Sequence, residues 1–420
     1  MKKIKKYKFS DLYDFSSGIS SKPEQAWHGF PFLSFSTVFN YYFIPNILPD
    51  LMDSSLNQQK KCSIKEWDIF LTRTSEVIDE LGLSCVAIKD YPKATYSGFV
   101  KRLRPLQEDK SYAKYMAFYL RSELFRKTMT NNAVLTLRAS LNEQIFSYLD
   151  LLLPSYDDQV KKWDLLFLLN SKIELNDKIN LELEKMSKTL YDYWFMQFDF
   201  PNENWNPYKS SSSKMYYNEE LRREIPILWN VEKINTKVTI GSGYSFKSSN
   251  YVKEWEYKIV TIKNVQDWYL TTKRIDKIKS IPDNLQDYCK LNYSDILISL
   301  TGNVWRMCFV DQDNLLLNQR VGKLIGDKEY VNYIYLYFLR PENRKMLEQI
   351  AGWSGQSNLS PVDAVDWNVY FPDHKVLINF NKEIEPIFNL MIKNNKENQK
   401  LEELRDWLLP MLMNGQVEVV

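Results

Sequence analysis

The stretch Ile298–Gly322 reads ISLTGNVWRMCFVDQDNLLLNQRVG. An apolar run enters a Thr-Gly-Asn turn, a second apolar run follows, and three leucines lead into Asn318, Gln319 and Arg320. Short apolar runs bounded by turn formers are the pattern of strands, and polar tips carried on such strands are where binding groups tend to sit. The fold is decided by where this pattern occurs a second time. Trp67–Leu71 stands 227 residues before Ser294–Ile298, Phe35–Val38 stands 227 before Ile262–Val265, and Cys62 falls on Cys289 in that register. Cys85 then falls on Cys308 at 223, Val100–Leu103 on Val321–Leu324 at 221, and Phe118–Arg121 on Tyr337–Arg340 at 219. Pro154 and Leu183-Glu184 fall on Pro372 and Leu401-Glu402 at 218. An offset that slides in one direction is what small deletions produce, whereas chance matches scatter. The chain is therefore two copies of one unit of roughly 200 residues.

Each copy reads as a mixed module. Phe32–Val38, Ile69–Thr72 and Val86–Ile88 are expected strands, with counterparts Ile259–Val265, Ile296–Ser299 and Cys308–Val310. Lys114–Met129 and Tyr330–Ile350 carry helical periodicity, and Leu151–Pro154 and Val369–Pro372 are apolar strands stopped by proline. A long helix follows in each copy. In Ser155–Phe198 the residues Ile179, Leu183, Met186, Leu190 and Tyr193 repeat at 4, 3, 4, 3. In Ile378–Leu412 the residues Ile384, Ile387, Met391, Asn394, Asn398 and Leu401 repeat at 3, 4, 3, 4, 3. Both are heptad seams. Asn170, Asn176 and Asn180 are expected to answer Asn394, Asn395 and Asn398, since asparagine in a seam costs stability and fixes register. The carboxylates of Asp157 and Asp158 suit a helix N-terminus. Asp199–Ser213, rich in Pro, Asn and Ser, reads as a linker.

Composition narrows the function. The chain has 420 residues, 44% of them hydrophobic and 15% aromatic, enough for sizeable cores. Lys and Arg number 55 against 53 Asp and Glu, so any basic surface must come from segregation, as at Lys2–Lys8, Lys60-Lys61 and Lys101–Arg104. No apolar run reaches the length of a membrane span, and the basic N-terminus lacks the apolar core of a signal peptide, so a cytoplasmic protein is expected. The four cysteines show no C-x-x-C spacing and read as reduced and buried. His28 and His374 are the only histidines, and no zinc-ligand cluster occurs. Gly241-Ser242-Gly243 lacks the following Gly-Lys-Ser/Thr of a phosphate loop, and no G-x-S-x-G is present. These absences favour binding over catalysis. The repeat points the same way: Thr301-Gly302-Asn303 faces Thr74-Ser75-Glu76, and Asn318-Gln319-Arg320 faces Ser97-Gly98-Phe99. A shared catalytic site keeps its functional groups in both copies. Two readers of different sequences keep the frame and vary the tips.

The chain resembles the specificity (S) subunit of type I restriction–modification systems, over essentially its whole length. The likeness is carried by SKIELNDKINLELEKMSKTLYDYWFMQFDFP (Ser171–Pro201), MYYNEELRREIPILW (Met215–Trp229), SDILISLTG and LLLNQRVGKL within Ser294–Leu324, and LEELRDWLLPMLMNGQV (Leu401–Val417). The resemblance implies an α+β architecture with a pseudo-twofold internal repeat. Two tandem mixed α/β target-recognition domains, 1–154 and 219–375, alternate with helical spacers, 155–200 and 376–420, that pair antiparallel as a coiled coil; 201–218 is the linker. It implies double-stranded DNA as target, methyltransferase (M) subunits as partners, two of them expected, and restriction (R) subunits joined through M. This chain would then be non-catalytic and hold no cofactor or metal, with S-adenosylmethionine, ATP and Mg in the partners. Half-sites about one helical turn apart, roughly 10 bp, are expected to differ and so form an asymmetric bipartite sequence. A recognition subunit with a fused methyltransferase–nuclease partner, and a coiled-coil scaffold without DNA, are the alternatives.

Base readout needs Arg or Lys for guanine and Asn or Gln for adenine, with small hydroxyl groups nearby. In the first copy Ser20, Lys22, Thr37, Arg73, Thr74, Ser75, Lys101, Arg102 and Arg138 are candidate DNA contacts. In the second they are Ser242, Tyr244, Lys247, Lys263, Asn264, Thr301, Asn303, Arg306, Asn318, Gln319, Arg320, Gln356 and Ser357. Spacer pairing and partner docking fall to Ile179, Leu183, Met186, Leu190, Trp194, Ile384, Ile387, Met391, Leu401, Leu404 and Leu408.

Overall fold

The structure is a computed structural model that describes residues 4–20, 23–75, 80–107, 113–131, 134–135, 139–140, 145, 149–227, 229–254, 256–272, 275–352 and 358–419. Internal packing divides the chain into two units, residues 1–171 with 402–420, and residues 172–401.

In the first unit an antiparallel sheet runs in the order Tyr13–Ser17, Val100–Pro105, Ile69–Thr72, Ser84–Val86. A second sheet places Ala26–Leu33 between Asp50–Met52 and the parallel strand Thr95–Tyr96. In the second unit the same order recurs as Val238–Ser242, Val321–Gly326, Ile296–Ser299, Met307–Phe309. There Tyr257–Val260 pairs in parallel with Leu315–Leu317. In each unit an early strand also closes on the last, Lys5–Lys8 on Asp150–Leu153 and Asn230–Lys233 on Asn368–Phe371. The repeat read from offsets is thus a repeat of topology. The three consecutive leucines follow from it: Leu315, Leu316 and Leu317 are all buried in a strand with a neighbour on each side. Strands covered on both faces lose the polar alternation of half-buried ones.

The match extends to single turns. Trp67 and Ser294 both take a left-handed backbone, with φ of 66° and 67°. Their N–H groups donate to the carbonyls of Ala87 and Val310, at 2.7 and 2.9 Å. The next residue is aspartate in both. Asp68 accepts from the N–H of Lys65 at 2.8 Å and Asp295 from that of Asn292 at 2.7 Å. Each also binds a cation on the neighbouring strand, Arg104 and Lys323, both at 2.6 Å.

The strand expected at Val86–Ile88 is Ser84–Val86, and two others end early. The first leaves its sheet at Leu33, because the Ser34 hydroxyl accepts from the N–H of Thr37 and caps a short helix, Phe35–Asn40. In the second copy the strand ends at Val260. The Asn264 carboxamide closes a turn on Thr261 and donates to the carbonyl of Thr271. Lys114–Met129 and Tyr330–Ile350 are each two helices, Ala113–Tyr119 with Glu123–Asn131 and Lys328–Phe338 with Pro341–Ile350. The stretch read as a linker is folded: the Asn202 side chain accepts from the N–H groups of Asn204 and Asn206, and Met215–Asn218 pairs with Arg223–Pro226.

The long helices are Tyr156–Tyr191, continued by a π-helical turn at Asp192–Met196, and His374–Met413. The first opens at Ser155, whose hydroxyl accepts from the N–H of Asp158, with Asp157 and Asp158 in its first turn. Within the second unit the helices meet through asparagines. Asn176 donates to Asn398 at 2.9 Å, Asn394 donates to Asn180 at 2.9 Å, and Asn180 donates to Asn395 at 2.7 Å. The offset of 218 carries Asn176 onto Asn394 and Asn180 onto Asn398, so it exchanges one bonded pair for the other. Within the first unit Arg405 donates to Asn170 and lies over the ring of Tyr42.

The seam is not the one expected on the first helix. Asn176, Asn180 and Ser187 are buried, whereas Ile179 and Met186 face outward. Leu183 and Leu190 are half-buried against the core, and Trp194 is buried. On the second helix Ile384 and Met391 are buried, and Ile387 and Leu401 half-buried. Leu404 is exposed, and Leu408 packs half-buried against the first unit's core.

Glu184, on the first helix, sits among Lys188, Asp267 and Arg344, and burial pushes its carboxyl up to about 7. Burial likewise raises Asp311, held by Gln399, to about 6. The folded state keeps both protons where the unfolded chain has released them. This stabilisation is complete below the ordinary carboxylate values and is lost as pH rises through about 6 to 7. Urea midpoints of the wild type should therefore fall between pH 5 and 8, and Glu184→Gln should shrink that fall. An unchanged pH slope in the variant refutes the assignment.

Candidate nucleic-acid interface

The site is built from the loops at one end of each unit's sheets. In the second unit Tyr244 leaves Val238–Ser242 and crosses the end of Leu315–Leu317. Its N–H donates to Leu317 at 2.8 Å and its carbonyl accepts from Gln319 at 2.9 Å. Gly243 makes the crossing possible: a Cβ there would lie 2.4 Å from the carbonyl oxygens of Leu317 and Asn318. Asn318 donates its N–H to Val260, and its carbonyl accepts from Val321. Its side-chain oxygen faces the N–H of Arg320 at 3.4 Å, and the Arg320 carbonyl accepts from Leu300 at 3.0 Å.

The first unit repeats every one of these bonds. Ile19 donates to Tyr96 at 2.9 Å and accepts from Gly98 at 2.8 Å. Gly18 allows the approach, since a Cβ would lie 2.2 Å from the Tyr96 carbonyl oxygen. Ser97 donates to Leu33 and accepts from Val100. Its hydroxyl accepts from the N–H of Phe99 at 3.2 Å, and the Phe99 carbonyl accepts from Arg73 at 2.8 Å.

The expected contacts sort against this frame. Ser242, Tyr244, Asn318, Gln319, Arg320 and Thr301 are brought together, with Gln319, Arg320 and Asn303 exposed. Asn318 is a turn-holding residue, as Ser97 is. Tyr244 donates its hydroxyl to Asn284 and packs edge-on against Phe246. Arg306 donates to Gln266 at 2.9 Å. Lys247 and Lys263 are exposed on neighbouring loops. In the first unit Ser20 is exposed and Arg73 half-buried. Thr74 and Ser75 form a short strand paired with Ala139-Ser140. The hydroxyls of Thr74 and Thr301, repeat-matched, are both buried without a partner among the described residues.

Four candidates are internal and leave the set. Thr37 is buried in the capped helix, and Asn264 is buried holding its turn. Lys101 is buried with its ammonium 3.1 Å from the Ser17 hydroxyl. Arg102 is buried, donates to the Ser63 carbonyl and lies over Tyr96. The basic run Lys101–Arg104 is therefore structural, since Arg104 also pairs with Asp68. Lys22, Arg138, Gln356 and Ser357 lie outside the described residues. Phe99 was not among the expected contacts, although its register with Arg320 was visible in the repeat.

The four cysteines are free and buried. Among the described residues no group of three or more His, Cys, Asp or Glu is placed to hold a metal, and no helix is long and apolar enough to cross a membrane. On the first long helix Leu175, Ile179, Met186 and Tyr193 form an exposed apolar stripe at spacings of 4, 7 and 7. Leu404 and Trp407 are exposed on the second.

The two units share one hydrogen-bonded frame and carry different residues at its tips. Residues 1–185 match the family described as type I restriction modification DNA specificity domain. The chain is 23% identical over 426 residues to the type I restriction enzyme MjaIX specificity subunit of Methanocaldococcus jannaschii, covering 98% of this chain and 93% of that protein. It is 24% identical over 322 residues to the HindI specificity subunit of Haemophilus influenzae, covering 64% of this chain and 70% of that one. The fold matches the crystal structure of the type I restriction–modification S subunit from M. genitalium with a TM-score of 0.58 at 13% identity, over 98% of this chain and 96% of that one. The first 185 residues thus resemble that DNA specificity domain, and the chain as a whole resembles type I restriction–modification specificity subunits.

Proposed function

We propose that each unit reads one half of a split, asymmetric sequence in double-stranded DNA, and that the chain brings methyltransferase subunits to that site and restriction subunits through them. It transfers no methyl group and cuts no bond. S-adenosylmethionine, ATP and Mg belong to the partners. The observation that carries this reading is the frame shared bond for bond between the units, with unlike exposed residues at its tips. The outward stripe from Leu175 to Tyr193 suits the docking of a methyltransferase subunit, being apolar and left uncovered by the second helix.

The test is methylome sequencing of a host expressing this chain with its methyltransferase. A two-part motif with unlike halves is expected, and an unsplit or palindromic motif overturns the reading. Binding of the complex to duplex DNA should weaken steeply between 50 and 200 mM salt, by about a thousandfold or more if six or more phosphates are contacted. Salt-independent binding favours a scaffold without a DNA role.

A further inference from the structure

The two units hold one exposed residue each at the same point of the frame. Phe99 and Arg320 both follow a residue whose N–H binds the crossing loop, Gly98 to Ile19 and Gln319 to Tyr244. Both give their own N–H to a turn-making side chain, Ser97 or Asn318. Both accept, on the carbonyl, from the end of the adjacent strand, Arg73 or Leu300. The backbone at this position is thus fixed from three sides in each unit, and only the side chain differs. Phe99 is 53% exposed, and Arg320 is exposed with no side-chain partner among the described residues.

Building on the DNA reading proposed above, we propose that Phe99 and Arg320 are the paired specificity-determining residues of the two units, Arg320 reading a guanine and Phe99 the methyl group of a thymine. A guanidinium offers two parallel donors that match N7 and O6 of guanine in the major groove. Thymine alone presents an apolar group on that edge, and an aromatic ring is a suitable surface for it. Firm backbone anchoring matters here. A side chain on a wandering loop meets phosphate and base alike, whereas one held by three hydrogen bonds returns to one place and can tell one base from another.

The test uses the full chain with its methyltransferase, and reads both the methylated motif and binding to duplexes permuted at each position. Arg320→Phe should change one position of one half-site, lowering the preference for guanine there about tenfold to a hundredfold, with the other half-site unchanged. Phe99→Arg should change one position in the other half-site from thymine towards guanine. Arg320→Lys keeps the charge and loses the paired donors, so it should relax that same position, and Phe99→Leu should retain most of the thymine preference. Both side chains lie outside the packed cores, and the conservative pair covers any failure of the larger changes to fold. Uniformly weaker binding in Arg320→Phe, with unchanged bases and a salt slope reduced by about one, would mark a phosphate contact and overturn the assignment. Changes in both half-sites from a single substitution overturn it as well. A wild type that yields no split motif instead refutes the DNA reading itself, before either residue is tested.

Discussion

Phe195→Ala should destabilise the second unit by about 3–5 kcal/mol, the range for emptying a buried aromatic position. Phe195 is fully buried on the π-helical turn that ends the first long helix. Its ring meets those of Tyr191 at 5.0 Å, Tyr333 at 4.9 Å, Phe380 at 4.6 Å and Trp229 at 5.9 Å. Those partners come from the helix ends and the module between them, so the surrounding side chains cannot collapse into the space without moving several elements. Interiors are close-packed, and a gap of this size forfeits contacts on every side. Trp205→Ala is the control: Trp205 is 82% exposed, and its loss should fall within about 0.5 kcal/mol. Urea unfolding followed by circular dichroism measures both. A Phe195→Ala cost below 1 kcal/mol would show that the aromatic cluster does not hold the unit together.

The second large effect lies in the asparagine seam. Asn180 accepts from Asn394 and donates to Asn395, so Asn180→Leu strands a donor on one and an acceptor on the other. The orphaned donor on buried Asn394 costs about 1–3 kcal/mol, and the acceptor on half-buried Asn395 costs less. The double change Asn180→Leu with Asn394→Leu removes both members of the central bond. It should recover much of the loss, because apolar replacement of a whole buried polar pair is often close to neutral. What the double variant gives up is register, since leucines tolerate sliding and paired carboxamides do not. Disulfide trapping between cysteines at positions 176 and 398 would report that slippage. A single variant as stable as the wild type would remove the argument.

The seam also shows where sequence reading failed. Apolar periodicity on the first helix pointed to Ile179 and Met186, which face outward, because the inner positions Asn176, Asn180 and Ser187 are polar. On the second helix Ile384, Ile387 and Met391 made the inner face legible. The duplication was legible from offsets alone, and with it the order of strands, because a repeated topology must reuse its apolar runs in sequence. The basic run Lys101–Arg104 misled for a different reason. Charge is visible in a sequence, but the partner is not: Asp68 lies in the turn that leads into the neighbouring strand Ile69–Thr72 and pairs with Arg104 only once the sheet forms. Thr37 was within reach, since serine three residues before a helical N–H is a recognised cap. Phe99 was passed over because recognition was sought in polar groups.

Gly18 and Gly243 let each crossing loop lie against a strand end, and the tip residues beside them carry no packing duty. Mutational cost and mutational benefit therefore fall on different residues. A change at a glycine is paid in folding, whereas a change at position 99 or 320 alters what the protein prefers and leaves it folded. Such a protein can drift towards a new vocabulary one codon at a time, and each half can do so without waiting for the other.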